Sequence, residues 1–157
     1  MGRALAFVMV VGLLIGFAWP SGEAPAETAT AASSGERRET VLEREGNGHF
    51  YTHAKVNDDE LVEFIVDTGA TVVALTVEDA KRLGLDFDPS KFTVVGEGAS
   101  GLVRGQNLVL DSVEVDGKRV DDVPAVILEG SRLSLLGQAY LSRMGEVEMS
   151  GDYMVLK

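Results

Sequence analysis

The chain has 157 residues, enough for one domain and too few for two catalytic lobes, and its 45% hydrophobic and 25% charged content is that of an ordinary globular protein. A formal net charge of −11 excludes a nucleic-acid partner, because neutralising phosphates needs a surplus of Lys and Arg. With no cysteine, disulfides, thiolate nucleophiles and cysteine metal sites are excluded too, and the redox compartment is left open.

Arg3 precedes residues 4–19, ALAFVMVVGLLIGFAW, an apolar run without a charge. Its length falls between the core of a cleavable signal, about 7–15 residues, and a spanning helix of about 20. Trp19 and Pro20 at its outer end suit an interfacial anchor, whereas Ala24-Pro25-Ala26 offers a small-residue cleavage site. Residues 1–20 are therefore expected to be a membrane anchor or a signal segment. Anchoring is the favoured form, in an inner membrane with the remaining chain on the periplasmic side, as Arg3 on the short side implies. Secretion after signal cleavage is the alternative.

Residues 21–46 are rich in Ala, Ser, Thr, Glu and Gly without a sustained apolar period, and are expected to be a flexible tether. Glu39 to Glu45 has the composition for a turn of helix but nothing to anchor it, so no element is assigned there.

Residues 47–157 read as one globular domain. HFYTHAKV and ELVEFIVD are β-prone runs around the turn residues 57–59, a hairpin signal. After a D-T-G turn comes VVAL, then a short helix over TVEDAKRLGL, with Thr76 as N-cap, Glu78 and Asp79 in its first turn and Gly84 as its stop. Residues 92–128 alternate through several strands, with a glycine-rich tip at 96–101 and a hairpin turn at Asp116-Gly117. A second short helix is expected at QAYLSRMG, followed by two strands around Gly151-Asp152. The fold class is mostly β with one or two short helices.

FIVDTGAT, residues 64–71, carries the chemistry. Asp67 ends a strand expected to be buried on both sides, and Thr68 and Gly69 would let a hydroxyl and backbone amides converge on its carboxylate. The bland reading is an aspartate capping a turn, since such a triplet arises by chance in roughly 3% of chains this long. Here Ala70-Thr71 follow it, and a second apolar-apolar-glycine element, Leu135-Leu136-Gly137, lies directly before a helix. Together they are far more specific than the triplet alone.

FIVDTGAT, GEGASG and LSLLGQAYL, in this order, resemble the retropepsin-like aspartic proteases, and the layout resembles the bacterial membrane-anchored group of clan AA, over about two-thirds of the chain. The resemblance implies an acid-protease half-barrel, one lobe per chain, with Asp67 as catalytic carboxylate and Thr68, Gly69 and Ala70 supporting its loop. It further implies a flap over the substrate at Gly96, Glu97, Gly98, Ala99, Ser100 and Gly101, and a second loop, Leu135, Leu136 and Gly137, behind the site. No metal or cofactor is implied. Glu97 among the flap glycines departs from the pattern and would disfavour acidic substrate residues.

Peptide hydrolysis of this type takes two carboxylates sharing one proton. No second D-T-G or D-S-G exists: Asp111-Ser112-Val113 lacks the glycine, and Asp152-Tyr153 lacks both. The chain holds half a site, and the consistent completion is a homodimer with a two-fold axis between two copies of Asp67; the resemblance further implies that the terminal strands 146–157 help to form its interface. Activity should require the singly protonated pair and fall away at high pH. The partners expected are thus a second copy, a peptide or protein substrate, and a membrane through residues 4–19. A non-catalytic binding or assembly module of the same fold at the membrane is the alternative.

Three further signals carry less. GEGASG matches G-x-G-x-x-G, but LVRGQNLVL after it alternates as a strand, where a dinucleotide site needs a helix. His49 and His53 on one strand would stand about 13 Å apart, too far for one metal ion. Asp111, Glu114, Asp116, Asp121 and Asp122 form a solvated, charged edge that discourages strand pairing. Phe50 and Tyr51 suit core, interface or substrate wall equally, while Tyr140 and Leu141 are expected in the core.

Overall fold

The computed structural model describes residues 38–58, 60–98 and 101–157. Residues 4–19, with the anchor expected there, lie outside them, and among the described residues no helix is long and apolar enough to cross a membrane.

A closed six-stranded barrel forms the body. Strands β2 (Tyr51–Val56) and β3 (Leu61–Val66) are the expected hairpin, and Asn57 and Asp58 turn it with positive φ of 53° and 59°. Thr52, Ala54 and Val56 point inward while His53 and Lys55 are exposed, the period-2 pattern of a half-buried strand. After a loop come β4 (Val73–Thr76) and helix α1 (Val77–Arg82). Thr76 caps the helix by accepting from the Asp79 N–H at 3.0 Å, and Gly84 leaves it at φ +64°.

Strand β5 (Thr93–Gly98) pairs with the first part of the long β6 (Gly101–Val115), which runs back along β7 (Lys118–Leu128) through a turn at Asp116 and Gly117, φ 46° and 79°. Strand β8 (Ser134–Leu136), helix α2 (Gln138–Met144) and strands β9 (Val147–Ser150) and β10 (Tyr153–Leu156) complete the chain. The sheet order is β2-β3-β8-β4-β7-β6-β5, and β2 also pairs with β6 at Lys55↔Glu114 and Val56↔Val113, which closes the barrel and leaves β5 outside it as an arm on β6. Closure removes the sheet edges along most of the barrel.

The barrel is filled by Phe64, Leu75, Leu110, Ile127, Leu136 and Tyr140, none of which exposes surface, and each contributes about 1.5–3 kcal/mol by leaving water. Tyr140 and Leu141 are core, as expected, and Phe50 joins them, with the Arg44 guanidinium stacked 4.5 Å above its ring. Tyr51 is half-buried, and its hydroxyl accepts from Asn47.

The end of the expected tether is corrected. Thr40–Glu43 are not coil or helix but strand β1, paired antiparallel with β10 from Thr40↔Leu156 to Glu43↔Tyr153. Leu42 buries its side chain against Met154, and the buried Lys118 ammonium donates to the Arg38 carbonyl and the Thr40 hydroxyl. Burial pushes the Lys118 pKa down, while Asp116 and Glu39 oppose that shift. The folded domain therefore includes residues 40–43. Strand β10 lies between β1 and β9, so its two neighbours both come from its own chain.

Candidate active site

Strand β3 delivers Asp67 to the end of the barrel. The Val66 N–H donates to the Phe50 carbonyl at 2.9 Å and the Asp67 N–H to the Leu136 carbonyl at 3.1 Å, so the backbone is held from both sides up to the carboxylate. Phe64, Ile65 and Val66 are buried, and Asp67 itself is half-buried. Its Oδ1 accepts from the Gly69 N–H at 2.9 Å. A Cβ on Gly69 would stand 3.3 Å from that oxygen, so a larger residue there would press on the carboxylate and shift it by a few tenths of an ångström. The expected side-chain donor does not converge: Thr68 is exposed, and among the described residues Gly69 supplies the one hydrogen bond to the Asp67 carboxylate. Thr68 and Gly69 face outward, and Ala70 is half-buried.

The second loop packs directly behind. Strands β3 and β8 run parallel in register, Ile65↔Leu135 and Val66↔Leu136, so Gly137 arrives beside the Asp67 turn. Leu136 is fully buried and Leu135 partly so. A Cβ on Gly137 would lie 2.2 Å from the Val72 carbonyl oxygen and 2.7 Å from that of Ala70, so no other residue fits without moving the loop. The first N–H groups of α2 then hold loop carbonyls: Gln138 donates to Ala70 at 2.8 Å and Ala139 to Thr71 at 2.9 Å. The Gln138 side chain adds a bond from Nε2 to the Thr68 carbonyl at 2.9 Å.

The glycine-rich stretch lies in the β5/β6 hairpin. Gly96, Glu97 and Gly98 belong to β5, with a register shift between Val94 and Gly96, and Gly101 opens β6; Ala99 and Ser100 lie outside the described residues. The glycines lie in paired strands, unlike the helix-opening turn of a dinucleotide site. Val94, 56% exposed, and Leu102, 73% exposed, give the arm an apolar surface left open among the described residues. Arg104 pins its root, donating to the Phe92 carbonyl at 2.7 Å and to Glu129 at 3.1 Å. Gly105 is required there, since a Cβ would meet the Ile127 carbonyl oxygen at 2.2 Å.

Two supports were not visible in the sequence. Asp79, expected only as a helix-end charge, accepts from Thr76 Oγ1 at 2.9 Å, Ser134 Oγ at 2.6 Å and Arg82 at 2.7 Å, and Ser134 Oγ also accepts from the Thr76 N–H at 3.1 Å. Burial alone would raise the Asp79 pKa, but the hydrogen bonds from Ser134, Thr76 and Arg82 outweigh it and hold the carboxyl below the usual range. This network fixes the start of β8, whose other end carries Gly137. Gln138 was the second; a polar residue directly after the LLG glycine was its one signal.

His53 is exposed on β2, and His49 sits in the loop before it, donating its backbone N–H to Asn47. In the acidic hairpin Arg119 bridges Asp58 and Asp121, while Arg143 of α2 donates to the carbonyls of Asp121 and Asp122.

An aspartate on a tight turn at the end of a barrel strand, buttressed by an LLG loop, in a barrel that also carries a glycine-rich β-arm, defines a class, and comparison with known proteins gives the same class. The aspartyl protease family matches residues 52–140. An uncharacterized protein of Rickettsia prowazekii, RP867, is 36% identical over 123 residues, 78% of this chain and 53% of that protein. An uncharacterized protein from the cobV 5′ region of a Sinorhizobium species is 32% identical over 139 residues, 87% of this chain and 59% of that one. The chain thus spans just over half the length of these curated relatives. The crystal structure of a retropepsin-like aspartic protease from Rickettsia conorii matches with a TM-score of 0.63 at 33% identity, over 76% of this chain and 90% of that one. The chain belongs to the aspartyl protease family, and its barrel is a retropepsin-like lobe.

Proposed function

We propose that the protein is an aspartic endopeptidase that works as a homodimer, with the Asp67 carboxyls of two copies sharing one proton across a two-fold axis. What carries the reading is that a single chain holds one such aspartate, rigidly seated, on a turn whose Thr68 and Gly69 face outward. The ionised carboxylate takes a proton from water as the water oxygen adds to the peptide carbonyl carbon, and the protonated one donates to the carbonyl oxygen. Collapse of the resulting diol breaks the C–N bond, the leaving nitrogen takes up a proton, and the pair returns to one shared proton. The β5/β6 arm, with Val94 and Leu102 exposed, would close over an extended peptide. Within its own chain β10 is enclosed, so a partner would meet the edges of β1 or β9 that are unpaired among the described residues, or the outer face of their sheet.

The test is subunit mixing. Asp67→Asn should abolish peptide cleavage, and excess Asp67→Asn protein should lower wild-type activity below its share of the mixture, because mixed dimers hold one usable carboxyl. Wild-type activity untouched by the excess would exclude the shared site. A protein that cleaves no peptide and binds no mimic of the tetrahedral intermediate would be the non-catalytic module instead.

We also propose membership of the bacterial membrane-anchored group, with residues 4–19 holding the protein in the inner membrane, a tether from residue 21 to the start of β1, and the domain on the periplasmic side. The mass of the mature N-terminus and the access of an external protease to the domain test this; a chain recovered without its first twenty residues would favour secretion.

A further inference from the structure

We propose that Gln138 is a positioning residue for Asp67, acting through the peptide group between Thr68 and Gly69; the inference rests on the peptidase reading above. Two hydrogen bonds meet on that one group. The Gln138 Nε2 donates to the Thr68 carbonyl oxygen at 2.9 Å, and the Gly69 N–H of the same planar unit donates to Asp67 Oδ1 at 2.9 Å. A side chain from α2 therefore sets the plane of the amide that holds the carboxylate, and each bond polarises the other. The backbone of Gln138 is itself fixed, its N–H bound to the Ala70 carbonyl at 2.8 Å and its carbonyl accepting from the Ser142 hydroxyl at 2.6 Å.

Position 138 is thus the end of a rigid lever, and nothing else among the described residues holds the Thr68 carbonyl. The loop's other bonds act elsewhere: the Ala70 N–H closes the turn on the Asp67 carbonyl at 3.2 Å, and the Gln138 and Ala139 amides hold the Ala70 and Thr71 carbonyls, two and three peptide groups further on. Thr68 lies next to Asp67 on the outward side of the turn, so rotation of that plane would disturb both the carboxylate and the surface meant for a second copy.

The experiment uses the full chain and a chromogenic peptide that the wild type cleaves, with kcat and KM followed across pH. Gln138→Ala should lower kcat by roughly ten- to a hundredfold with KM little changed, the loss expected when a reacting group is misplaced by a fraction of an ångström. Gln138→Glu separates positioning from simple support. An ionised carboxylate cannot donate to the Thr68 carbonyl, but a protonated one can, and an unperturbed glutamate changes between the two near about pH 4.3. The titratable group linked to it is Asp67, through the 68–69 peptide group; Arg143, with Asp121 and Asp122 against it, lies about one and a half helical turns away along α2.

The ratio of Gln138→Glu to wild-type kcat should therefore climb on acidification from about pH 6 to pH 4, while the Gln138→Ala ratio stays flat. Thermal midpoints of both variants check that the fold is kept. Two flat ratios, or an alanine variant equal to wild type while Asp67→Asn is inactive, would overturn the role of Gln138 and leave the peptidase reading standing. If Asp67→Asn kept full activity, or the wild type cleaved nothing, that reading would fall and this inference with it.

Discussion

Gly137→Ala is the substitution whose cost can be worked most directly from the structure. The backbone at Gly137, φ −97° and ψ −173°, is open to any residue, so the effect is purely one of space. The new Cβ would stand 2.2 Å from the Val72 carbonyl oxygen, 2.7 Å from that of Ala70 and 2.9 Å from the Val72 carbonyl carbon. All three are backbone atoms, so no side chain can swing aside; the 70–72 loop must retreat by about 1 Å. Overpacking of this kind costs about 1–3 kcal/mol. The retreat also stretches the bonds from Gln138 to Ala70 and from Ala139 to Thr71, at about 1 kcal/mol each. The sum is about 3–5 kcal/mol, which for a domain of this size lowers the thermal midpoint by at least about 10 °C. The same shift moves the Asp67 turn and should reduce kcat about a hundredfold. Gly46→Ala is the control: its Cβ meets nothing within 4 Å, so it should be neutral or stabilise by up to about 1 kcal/mol. Calorimetry and peptide kinetics on both variants check this, and a Gly137→Ala protein that melts and cleaves like Gly46→Ala would refute the close packing of the two loops.

Ser134→Ala should destabilise by about 1–3 kcal/mol in urea unfolding, because it leaves the buried Thr76 N–H without its acceptor. The Asp79 carboxyl is held low in the folded state, so its contribution is present above the unfolded carboxylate pKa and is lost as pH falls through the lower folded value. Thermal midpoints should therefore drop on acidification below about pH 4, and Asp79→Asn should flatten that drop while lowering stability at neutral pH. Lys118→Ala removes the donor to the Arg38 carbonyl and the Thr40 hydroxyl, so hydrogen exchange at Val41 to Glu43 should quicken while that of β3 stays unchanged. Equal quickening in both strands would mean that Lys118 supports the whole domain.

What the sequence revealed were features whose cause is local. Asn57, Asp58, Asp116 and Gly117 announce turns because they tolerate positive φ, and each adopts it. Thr76 with Asp79 announces a helix start, and Asp67-Thr68-Gly69 announces a tight turn after a buried run. Hidden were features set by partners far along the chain. Strand β1 is four residues in a polar stretch, and it becomes a strand only because β10, at the opposite end of the chain, offers Met154 to Leu42 and an open ladder. The parallel pairs β3–β8 and β4–β7 and the closure of β2 on β6 leave no mark on periodicity, which tells a strand's faces and not its neighbours. Lys118 ran against expectation outright: a lysine is normally exposed, and this one is buried because the Arg38 carbonyl and the Thr40 hydroxyl accept hydrogen bonds from its ammonium.

The arrangement around Asp67 bears on what a second copy has left to do. Within one chain the carbonyls of Thr68, Ala70 and Thr71 are all bound by residues 138 and 139, the Asp67 N–H is bound by Leu136, and the carboxylate is bound by Gly69. The loop is therefore ordered before any partner arrives, and pairing need not pay to order it. A site that folded only on association would bind weakly for the area it buries, since part of the contact energy would go into ordering. If two copies pair as proposed, pairing would have only to bring together two finished halves, and it would cover Thr68 and Gly69, which face outward among the described residues. If residues 4–19 anchor the copies in one membrane, as proposed, even modest pairing affinity suffices, because confinement raises the effective concentration of each for the other. Without residues 4–19, the same domain should stay folded on dilution, and if it acts as a pair its activity should fall with the square of its concentration.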